Sequence, residues 1–385
     1  MNKKRRKNNN VIRGIAKMTD IYSFDKKQNE QAMIHTDDGK RKKEQFIEDL
    51  KEGDTINDMF SVKVKTAPRA YRRGTMFDFI AIDKTGDIAV KYWGGDNKDR
   101  VKRLFNSFQS GDVIHIRHGN VEVYNEKLQV SINEKTGGVR KCIDDEYEKS
   151  DFVQALSKAM INRLFKEVTS FIEEIENKDL RLLLDTFFND PEFEFAYKNS
   201  PSAITHHHNY VGGNMQHCVG VARLCQNISK MYPGLNKDLL ITGALLHDVG
   251  KLKEYETTTS IQKTSIGNFI GHIVIGDRWI RETAEKIREK GSSFDEGLEG
   301  LLCHMILSHH GHLEYGSPSI PKIPEAIVLF HADYMDSQVK NFLQHLDDAR
   351  TNSDENWAYV YDSNLGMKRA IFLKQFELDE VTSEK

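Results

Sequence analysis

The stretch Ile241-Thr-Gly-Ala-Leu-Leu-His-Asp-Val-Gly-Lys-Leu252 decides the fold of the second half of the chain. An apolar run typical of a buried helix ends here in the adjacent residues His247 and Asp248. Burying an imidazole and a carboxylate is costly unless a partner satisfies them. Divalent transition metals accept both groups as ligands. The pair therefore predicts a metal site that needs further ligands from neighbouring helices.

Further candidate ligands lie in the same half of the chain, which holds most of its 15 histidines. A single histidine in a helix is usually structural, but here the candidates recur on five separate helical segments. They are His217, His247 with Asp248, His272, His309 and Asp333. Helices of a bundle can point such residues at one cavity, as they do in known metal sites. We therefore expect one metal centre between the helices.

Length and composition favour a two-domain protein with a polar surface, since 385 residues exceed the usual size of one domain. The net charge is only −3, so the whole chain gives no indication of an anionic partner. The four cysteines are scattered, at Cys142, Cys218, Cys225 and Cys303. Their spacing argues against a disulfide scaffold and suits a reducing compartment. With no apolar run near the roughly 20 residues of a membrane helix, we expect a cytoplasmic protein without membrane contact. The sequence leaves its oligomeric state open, and a homo-oligomer is compatible with it.

Residues 1–45 form a basic arm without a sustained hydrophobic period. They hold 13 Lys or Arg residues against six Asp or Glu residues, a local net charge of +7. One interpretation is a solvated, disordered tail, and the other is an arm that attracts nucleic acid through its charge. The sequence alone leaves both open.

Residues 46–143 show the alternation of strands. Five candidate strands are readable, at Thr55 to Thr66, Met76 to Asp83, Asp87 to Trp93, Val113 to Tyr124 and Leu128 to Asn133. A helical segment at about Asp99 to Phe108 falls between the third and fourth strands. That order is typical of an OB-fold barrel, a common platform for single-stranded nucleic acid. We therefore predict an all-β OB-fold domain here.

Aromatic and basic side chains on this barrel indicate a surface for single-stranded RNA or DNA, because aromatic faces stack bases while cations meet phosphates. The candidate contact residues are Tyr71, Arg72, Arg73, Trp93 and Arg117. For Phe77 and Phe79 the alternative is packing in the barrel core, and we favour it.

Residues 151–350 show helical periodicity and predict an all-α bundle. Helices are readable at 151–176, 178–189, 212–231, 236–249, 270–290, 295–310 and 324–346. We expect the prolines of this region to lie between helices; they are Pro191, Pro201, Pro233, Pro318, Pro321 and Pro324. Residues 351–385 form a C-terminal extension, in which Trp357 to Phe376 alternates as strands do.

The histidine pattern also resembles a known family. The order His217, His247-Asp248 and Asp333, with Gly250-Lys251 after the doublet, is similar to the HD-domain superfamily of metal-dependent phosphohydrolases. Three longer stretches narrow the resemblance: His207-His-Asn-Tyr-Val-Gly-Gly-Asn-Met-Gln-His217, Ser308-His-His-Gly311 and Phe330-His-Ala-Asp-Tyr-Met-Asp336. Behind an OB-fold barrel they resemble the YhaM-type 3′-5′ exoribonucleases, over about residues 46–375. The basic arm departs from that family's pattern.

The resemblance implies a divalent metal centre, with two ions where His272 and His309 are present. The first ion would take His217, His247, Asp248 and Asp333, and the second would take Asp248 as a bridge, His272 and His309. Imidazole and carboxylate without thiolate favour Mn²⁺, with Fe²⁺, Co²⁺ or Ni²⁺ as alternatives and Mg²⁺ less suited. Such ions activate water and stabilise the charge that builds on a phosphoryl group.

Asp248, Lys251 and His208 are the candidate catalytic residues. Lys251 either contacts a phosphate or is a surface lysine at a helix end, where the helix dipole favours a cation. His207, His208 and Tyr210 either pack their loop or grip the substrate, with one histidine protonating the leaving 3′ oxygen.

His310 and Asp336 are candidates for supporting the metal ligands from behind. His310 is also an alternative ligand. Asp336 lies three residues after Asp333 on the same helix face, and a solvated or capping role is equally compatible with that position.

Three functions are compatible with these features. The leading one is a metal-dependent 3′-5′ exonuclease that hydrolyses single-stranded RNA, with single-stranded DNA also possible, and releases nucleoside 5′-monophosphates. The second is a phosphohydrolase or phosphodiesterase that acts on free or cyclic nucleotides. The third is a non-catalytic protein that binds single-stranded nucleic acid, which the large ligand set argues against.

Overall fold

The computed structural model describes residues 40–125, 127–203, 210–352, 355–362 and 367–374. Its first part is one eight-stranded sheet with a single α-helix. The elements are β1 (Thr55–Ile56), β2 (Met59–Tyr71), β3 (Gly74–Asp83), β4 (Gly86–Trp93), α1 (Lys98–Asn106), β5 (Val113–Arg117), β6 (Gly119–Tyr124), β7 (Lys127–Asn133) and β8 (Gly138–Lys141).

The sheet curls into a barrel because of the way β5 and β6 pair. Its order is β1-β6-β7-β4-β3-β2-β5-β8. β5 pairs with β2 and β6 pairs with β7, although only His118 separates β5 from β6 along the chain. β4 and β7 run parallel, and α1 lies between β4 and β5. These pairings are those of an OB-fold barrel.

The prediction of one strand from Val113 to Tyr124 is wrong. The backbone of His118 has a φ of 52°, in the left-handed region, and this residue divides the segment into β5 and β6. The interior is filled as expected, since Phe77 and Phe79 are buried and Phe77 stacks on Tyr92. The prediction of a core role for the two phenylalanines is therefore confirmed.

The last residues of the predicted arm, 40–45, pack against the barrel. The ammonium group of Lys43 donates to the carbonyl oxygen of Met59 at 2.7 Å and lies 3.5 Å from the ring centroid of Phe60. It also lies 3.4 Å from Asp83 Oδ2, and both side chains of this ion pair are inaccessible to solvent. Residues 1–39, where the rest of the arm falls, lie outside the described residues.

Replacing Lys43 with alanine leaves the Asp83 carboxylate without its buried cation. Because breaking a buried ion pair costs about 3–5 kcal/mol, we expect Lys43→Ala to lower the free energy of unfolding by that amount in urea denaturation. Lys63→Ala is the matched control, since its pair with Asp87 spans 2.9 Å but is exposed to solvent. It should cost less than about 1 kcal/mol. Equal stability of the two variants would contradict this prediction.

The second part of the chain is mainly helical. Its helices are α2 (Lys158–Glu173), α3 (Lys178–Phe188), α4 (Pro191–Asn199), α5 (Gly213–Met231), α6 (Lys237–Leu246), α7 (Lys251–Glu254), α8 (Ser265–Ile270), α9 (His272–Glu289), α10 (Glu296–Ser308) and α11 (Pro324–Asn352). Two hairpins accompany them, β9 (Tyr255–Thr257) with β10 (Ile261–Lys263), and β11 (Trp357–Asp362) with β12 (Met367–Phe372). The labels all-β and all-α therefore simplify a barrel that contains a helix and a bundle that contains strands.

Helix α6 lies at the centre of the bundle. Every residue from Leu239 to Leu246 is buried, and α2, α3, α5, α10 and α11 all contact this helix. This arrangement explains the apolar run in the sequence, because a helix surrounded on all sides has no polar face. The apolar run ends where the buried polar residues His247 and Asp248 begin.

Two prolines lie at helix starts and not between helices. Pro191 and Pro324 are the first residues of α4 and α11. Proline is favoured at this position because its missing N–H would have no partner there. In the described part of the chain, no helix is both long and apolar enough to cross a membrane.

Candidate metal centre

Five helices bring the predicted ligands into one buried cluster. His217 lies on α5, His247 and Asp248 follow α6, His272 is the first residue of α9, His309 and His310 follow α10, and Asp333 lies on α11. α5 begins after Gly212, whose φ of 86° is in the left-handed region that glycine adopts readily. That turn sets the direction of the helix that carries His217.

The first set of ligand atoms comes from His217, His247, Asp248 and Asp333. His217 Nε2 lies 3.2 Å from His247 Nε2 and 3.0 Å from Asp333 Oδ1. Asp248 Oδ2 lies 3.6 Å from His217 Nε2 and 3.4 Å from His247 Nε2. Bonds of about 2.1 Å to one ion place neighbouring ligand atoms roughly 3.0–3.5 Å apart. These four side chains therefore fit a single divalent ion.

The second set lies on the other side of Asp248. Its second oxygen, Oδ1, lies 3.5 Å from His272 Nε2 and 3.8 Å from His309 Nε2. All three atoms are buried and have no hydrogen-bond partner among the residues that the structure describes. His310 belongs to this set, because its ligand atom lies within 4.8 Å of those of His272 and His309. Three unsatisfied atoms that face one point fit a second cation, which would remove the cost of burying them.

The backbone fixes which nitrogen of each imidazole faces the cluster. Nδ1 of His247 lies 2.9 Å from the carbonyl oxygen of Ala244, and Nδ1 of His309 lies 2.6 Å from that of Ile306. A carbonyl oxygen can only accept, so Nδ1 must carry the proton in both rings. Nε2 then presents a lone pair to the cluster, which is the arrangement that a metal ligand requires.

The protonation states also suit a cation centre. Burial lowers the pKa of His309, and the neighbouring His310 and His247 lower it further, so the ring is neutral. Burial opposes the charge of His217 too, but its contacts with Asp333 and Asp336 outweigh this and raise its pKa to about 9. At neutral pH an ion on this side would therefore displace a proton.

Asp336 and Glu254 each contact the Nδ1 atom of one histidine, on the side of the ring away from the cluster. Asp336 Oδ2 lies 2.7 Å from His217 Nδ1, and Glu254 Oε2 lies 3.0 Å from His272 Nδ1. Sequence reasoning named Asp336 but missed Glu254. Burial raises the pKa of Glu254, but His272 and Lys263 lower it below its ordinary value, so its carboxylate is ionised. No regular spacing links Glu254 to His272, and the fold alone brings them together.

Lys251 is the first residue of α7 and lies against the centre. Its ammonium group lies 2.7 Å from Asp248 Oδ2 and 3.2 Å from Ser202 Oγ. Burial lowers the pKa of Lys251, but Asp248 outweighs this and keeps the side chain charged. The alternative of a surface lysine at a helix C-terminus does not agree with this position, because α7 begins at Lys251.

The candidate nucleic-acid residues lie elsewhere. Tyr71 ends β2, packs edge to face on Trp93 with ring centroids 5.0 Å apart, and donates to the carbonyl oxygen of Gly94. Arg72, Arg73 and Arg117 are exposed. Ser61 on β2 contacts the helical part through Thr259. Tyr71 lies further along the same strand, at a distance of roughly 33 Å for extended backbone. The turn with Arg72 and Arg73 is therefore at the end of the strand away from that contact.

Tyr210 is the remaining described candidate. It lines a cavity between the barrel and the bundle, together with Lys84 and Thr85. Its hydroxyl donates to Gln216, and burial raises its pKa to about 12, so it keeps its proton. His207 and His208 lie outside the described residues.

The packing around Gly250 explains why the central stretch of the sequence has a glycine at this position. A Cβ atom at this position would lie 1.9 Å from the carbonyl oxygen of His272 and 2.8 Å from the backbone nitrogen of Gly276. We expect Gly250→Ala to force α9 away, lower stability by about 1–3 kcal/mol and displace His272. Thermal unfolding and Mn²⁺ titration would measure both effects. Gly300→Ala is the control, since its Cβ would meet nothing within 4 Å, and a loss of similar size there would contradict the steric explanation.

The fold and the site define an HD-domain protein, and residues 214–338 match the HD domain family. The 3′-5′ exoribonuclease YhaM of Listeria welshimeri is 30% identical over 299 residues, which cover 77% of this chain and 89% of that protein. YhaM of Shouchella clausii is 30% identical over 85% of this chain and 97% of its own length. YhaM of Bacillus subtilis is 28% identical over 74% of this chain and 86% of its own length. The chain therefore belongs to the YhaM family of 3′-5′ exoribonucleases.

Among solved structures, the replication factor A related protein of Methanobacterium thermoautotrophicum matches 27% of this chain and 94% of its own. The identity is 23% and the TM-score is 0.23. The assignment of the barrel rests on its own strand pairings and not on this likeness.

Proposed function

We propose that this chain shortens single-stranded RNA from the 3′ end by hydrolysis at a centre of two divalent ions, releasing nucleoside 5′-monophosphates. The activity follows from the family: the chain is a metal-dependent 3′-5′ exoribonuclease. The observation that supports the two-ion centre is the position of Asp248. One of its oxygens faces His217 and His247, and the other faces His272 and His309.

The proposed ligands follow from these distances. The first ion would be held by His217, His247, Asp248 and Asp333, and the second would be held by Asp248, His272, His309 and His310. Nitrogen-rich sets without thiolate favour Mn²⁺ over Mg²⁺, with Fe²⁺, Co²⁺ and Ni²⁺ as alternatives. When bound, such ions supply an activated water and stabilise negative charge on the phosphoryl oxygens.

The protein's own groups have supporting roles in this proposal. The charged ammonium group of Lys251 lies beside Asp248 and offsets charge on the phosphate being cleaved. His208 protonates the leaving 3′ oxygen, and His207 and Tyr210 hold the last nucleotides. Asp336 and the backbone carbonyls keep the imidazoles oriented.

The barrel, residues 46–143, binds the strand that the helical domain, residues 151–350, degrades. Exposed Arg72, Arg73 and Arg117 meet phosphates, while Tyr71 and Trp93 present ring surface to bases. All four cysteines are free and buried, which supports the cytoplasm as the place where this happens.

The proposal is tested with a 5′-labelled single-stranded RNA and the matching DNA, each incubated with Mn²⁺, Mg²⁺ or EDTA. We expect a metal-dependent ladder that shortens from the 3′ end, faster for RNA than for DNA. A 3′,5′-cyclic nucleotide is included as a competing substrate. Turnover of that nucleotide with intact strands would favour the phosphodiesterase alternative, and binding of RNA without any hydrolysis would favour a binding protein.

A further inference from the structure

We propose that Glu254 is a positioning residue for the second metal ion, tying His272 to the β9–β10 hairpin and through it to the barrel. The inference rests on the proposed two-ion centre and adds a residue to it. Glu254 ends α7, six residues after Asp248, and only 2% of its surface is exposed. Its two carboxylate oxygens face different parts of the molecule.

One oxygen holds the ligand. Oε2 of Glu254 lies 3.0 Å from Nδ1 of His272, while Nε2 of the same ring points at Asp248 Oδ1 from 3.5 Å. The contact is a close ion pair and does not have the geometry of a hydrogen bond. A carboxylate at this distance from Nδ1 still favours the proton on that nitrogen and leaves Nε2 free for a cation. In three of the candidate ligands Nδ1 lies beside a backbone carbonyl oxygen; these are His247, His309 and His310. His272, like His217 with Asp336, faces a side chain instead, and that side chain must itself be held in place.

The other oxygen supplies that support. Oε1 of Glu254 lies 2.8 Å from Nζ of Lys263, the last residue of β10. The backbone of Glu254 is fixed as well, because its carbonyl oxygen accepts from the backbone nitrogen of Thr264 at 2.9 Å. A Cβ atom on Gly267 would lie 2.3 Å from that carbonyl oxygen, so α8 packs directly on it.

The hairpin is in turn anchored to the barrel. Thr259, at the hairpin turn, is 2% exposed, and its hydroxyl donates to the carbonyl oxygen of Gly111. The hydroxyl of Ser61 on β2 donates to the Thr259 oxygen at 3.1 Å. A continuous series of contacts thus links the barrel to the hairpin, then to Lys263, Glu254 and His272, the proposed ligand of the second ion. The position of the barrel and the geometry of this ligand are mechanically linked.

The test is Mn²⁺ binding by the full-length chain, measured by calorimetry and by the electron paramagnetic resonance signal of coupled ions. We expect Glu254→Gln, which keeps the shape but removes the charge, to weaken one of two sites by about 10–100-fold and leave the other unchanged. Lys263→Met, at a more exposed position, should weaken the same site by a smaller factor. Glu256→Gln on the exposed side of the hairpin is the matched control and should bind as the wild type does.

Two sites of unchanged affinity in both Glu254→Gln and Lys263→Met would overturn the proposal, as would a loss confined to the His217 side. If the wild type binds only one ion, an affinity unaffected by Glu254→Gln overturns it as well. Lys263→Met keeps the test decisive if Glu254→Gln fails to fold. RNA hydrolysis is measured separately, so a wild type that binds two ions but does not degrade RNA would contradict the proposed function and not this inference.

Discussion

Asp248→Asn should reduce RNA hydrolysis by at least roughly 10³-fold. The two carboxylate oxygens of Asp248 face different ligand sets. Losing this carboxylate therefore weakens the binding of both ions. Ions of this kind stabilise the transition state by several kcal/mol, and about 1.4 kcal/mol corresponds to a tenfold change in rate. Burial raises the pKa of Asp248, but Lys251 and His247 lower it well below its usual range, so the wild-type side chain is charged. The uncharged asparagine cannot replace it.

The measurement combines the rate of RNA shortening with the Mn²⁺ content of the purified protein. Asp336→Asn provides a graded comparison, because it changes the partner of His217 Nδ1 and of Lys340 but replaces no candidate ligand. It should cost about 10–100-fold in metal affinity. If Asp248→Asn retains two ions or more than a tenth of the wild-type rate, the assignment of Asp248 as the bridging ligand is wrong.

Lys251→Met should lower kcat by about 10²–10³-fold, the usual effect of removing one group that stabilises transition-state charge. The ammonium group of Lys251 lies 2.7 Å from Asp248 and remains charged despite its burial. It is therefore placed to offset charge on the phosphate. Single-turnover kinetics at saturating RNA would measure the effect on kcat separately from KM.

Lys253→Met is the matched control. Lys253 lies two residues further on, and its ammonium group stands 3.7 Å from the ring centroid of Trp279, away from the ligands. We expect this variant to keep its kcat. A fall in the Mn²⁺ content of Lys251→Met that parallels the fall in rate would show that Lys251 only holds Asp248 in place.

The sequence predicted the parts of the site that carry their own chemistry. His247-Asp248 at the end of an apolar run indicated ligands because nothing else explains such a pair inside a core. Asp336 was named because it follows Asp333 by three residues on one helix. Glu254 offered no comparable indication, because its partner His272 begins a different helix and only the hairpin and α8 between them bring the two together.

The errors in the fold have local causes. The β9–β10 hairpin was missed because its strands have three residues each and carry polar side chains such as Glu256 and Gln262. The sequence predicts Pro191 between helices, but Asp190 before it caps α4 by accepting from backbone N–H groups, so the proline begins that helix. The break at His118 was not predicted because the positive φ falls on His118 itself, a residue that seldom adopts it, and not on the adjacent Gly119.

The pairing of β2 with β5 has a consequence for how the chain reaches its native state. Ser61 pairs with Val113, so the barrel joins segments that emerge from the ribosome far apart in time. Contacts of such long sequence separation are slow to form, because the entropy of closing the intervening loop must be lost first. The β2–β3 hairpin therefore has an unpaired strand edge until β5 has been synthesised. Such edges are prone to aggregation. Early termination before residue 113 should consequently yield insoluble fragments.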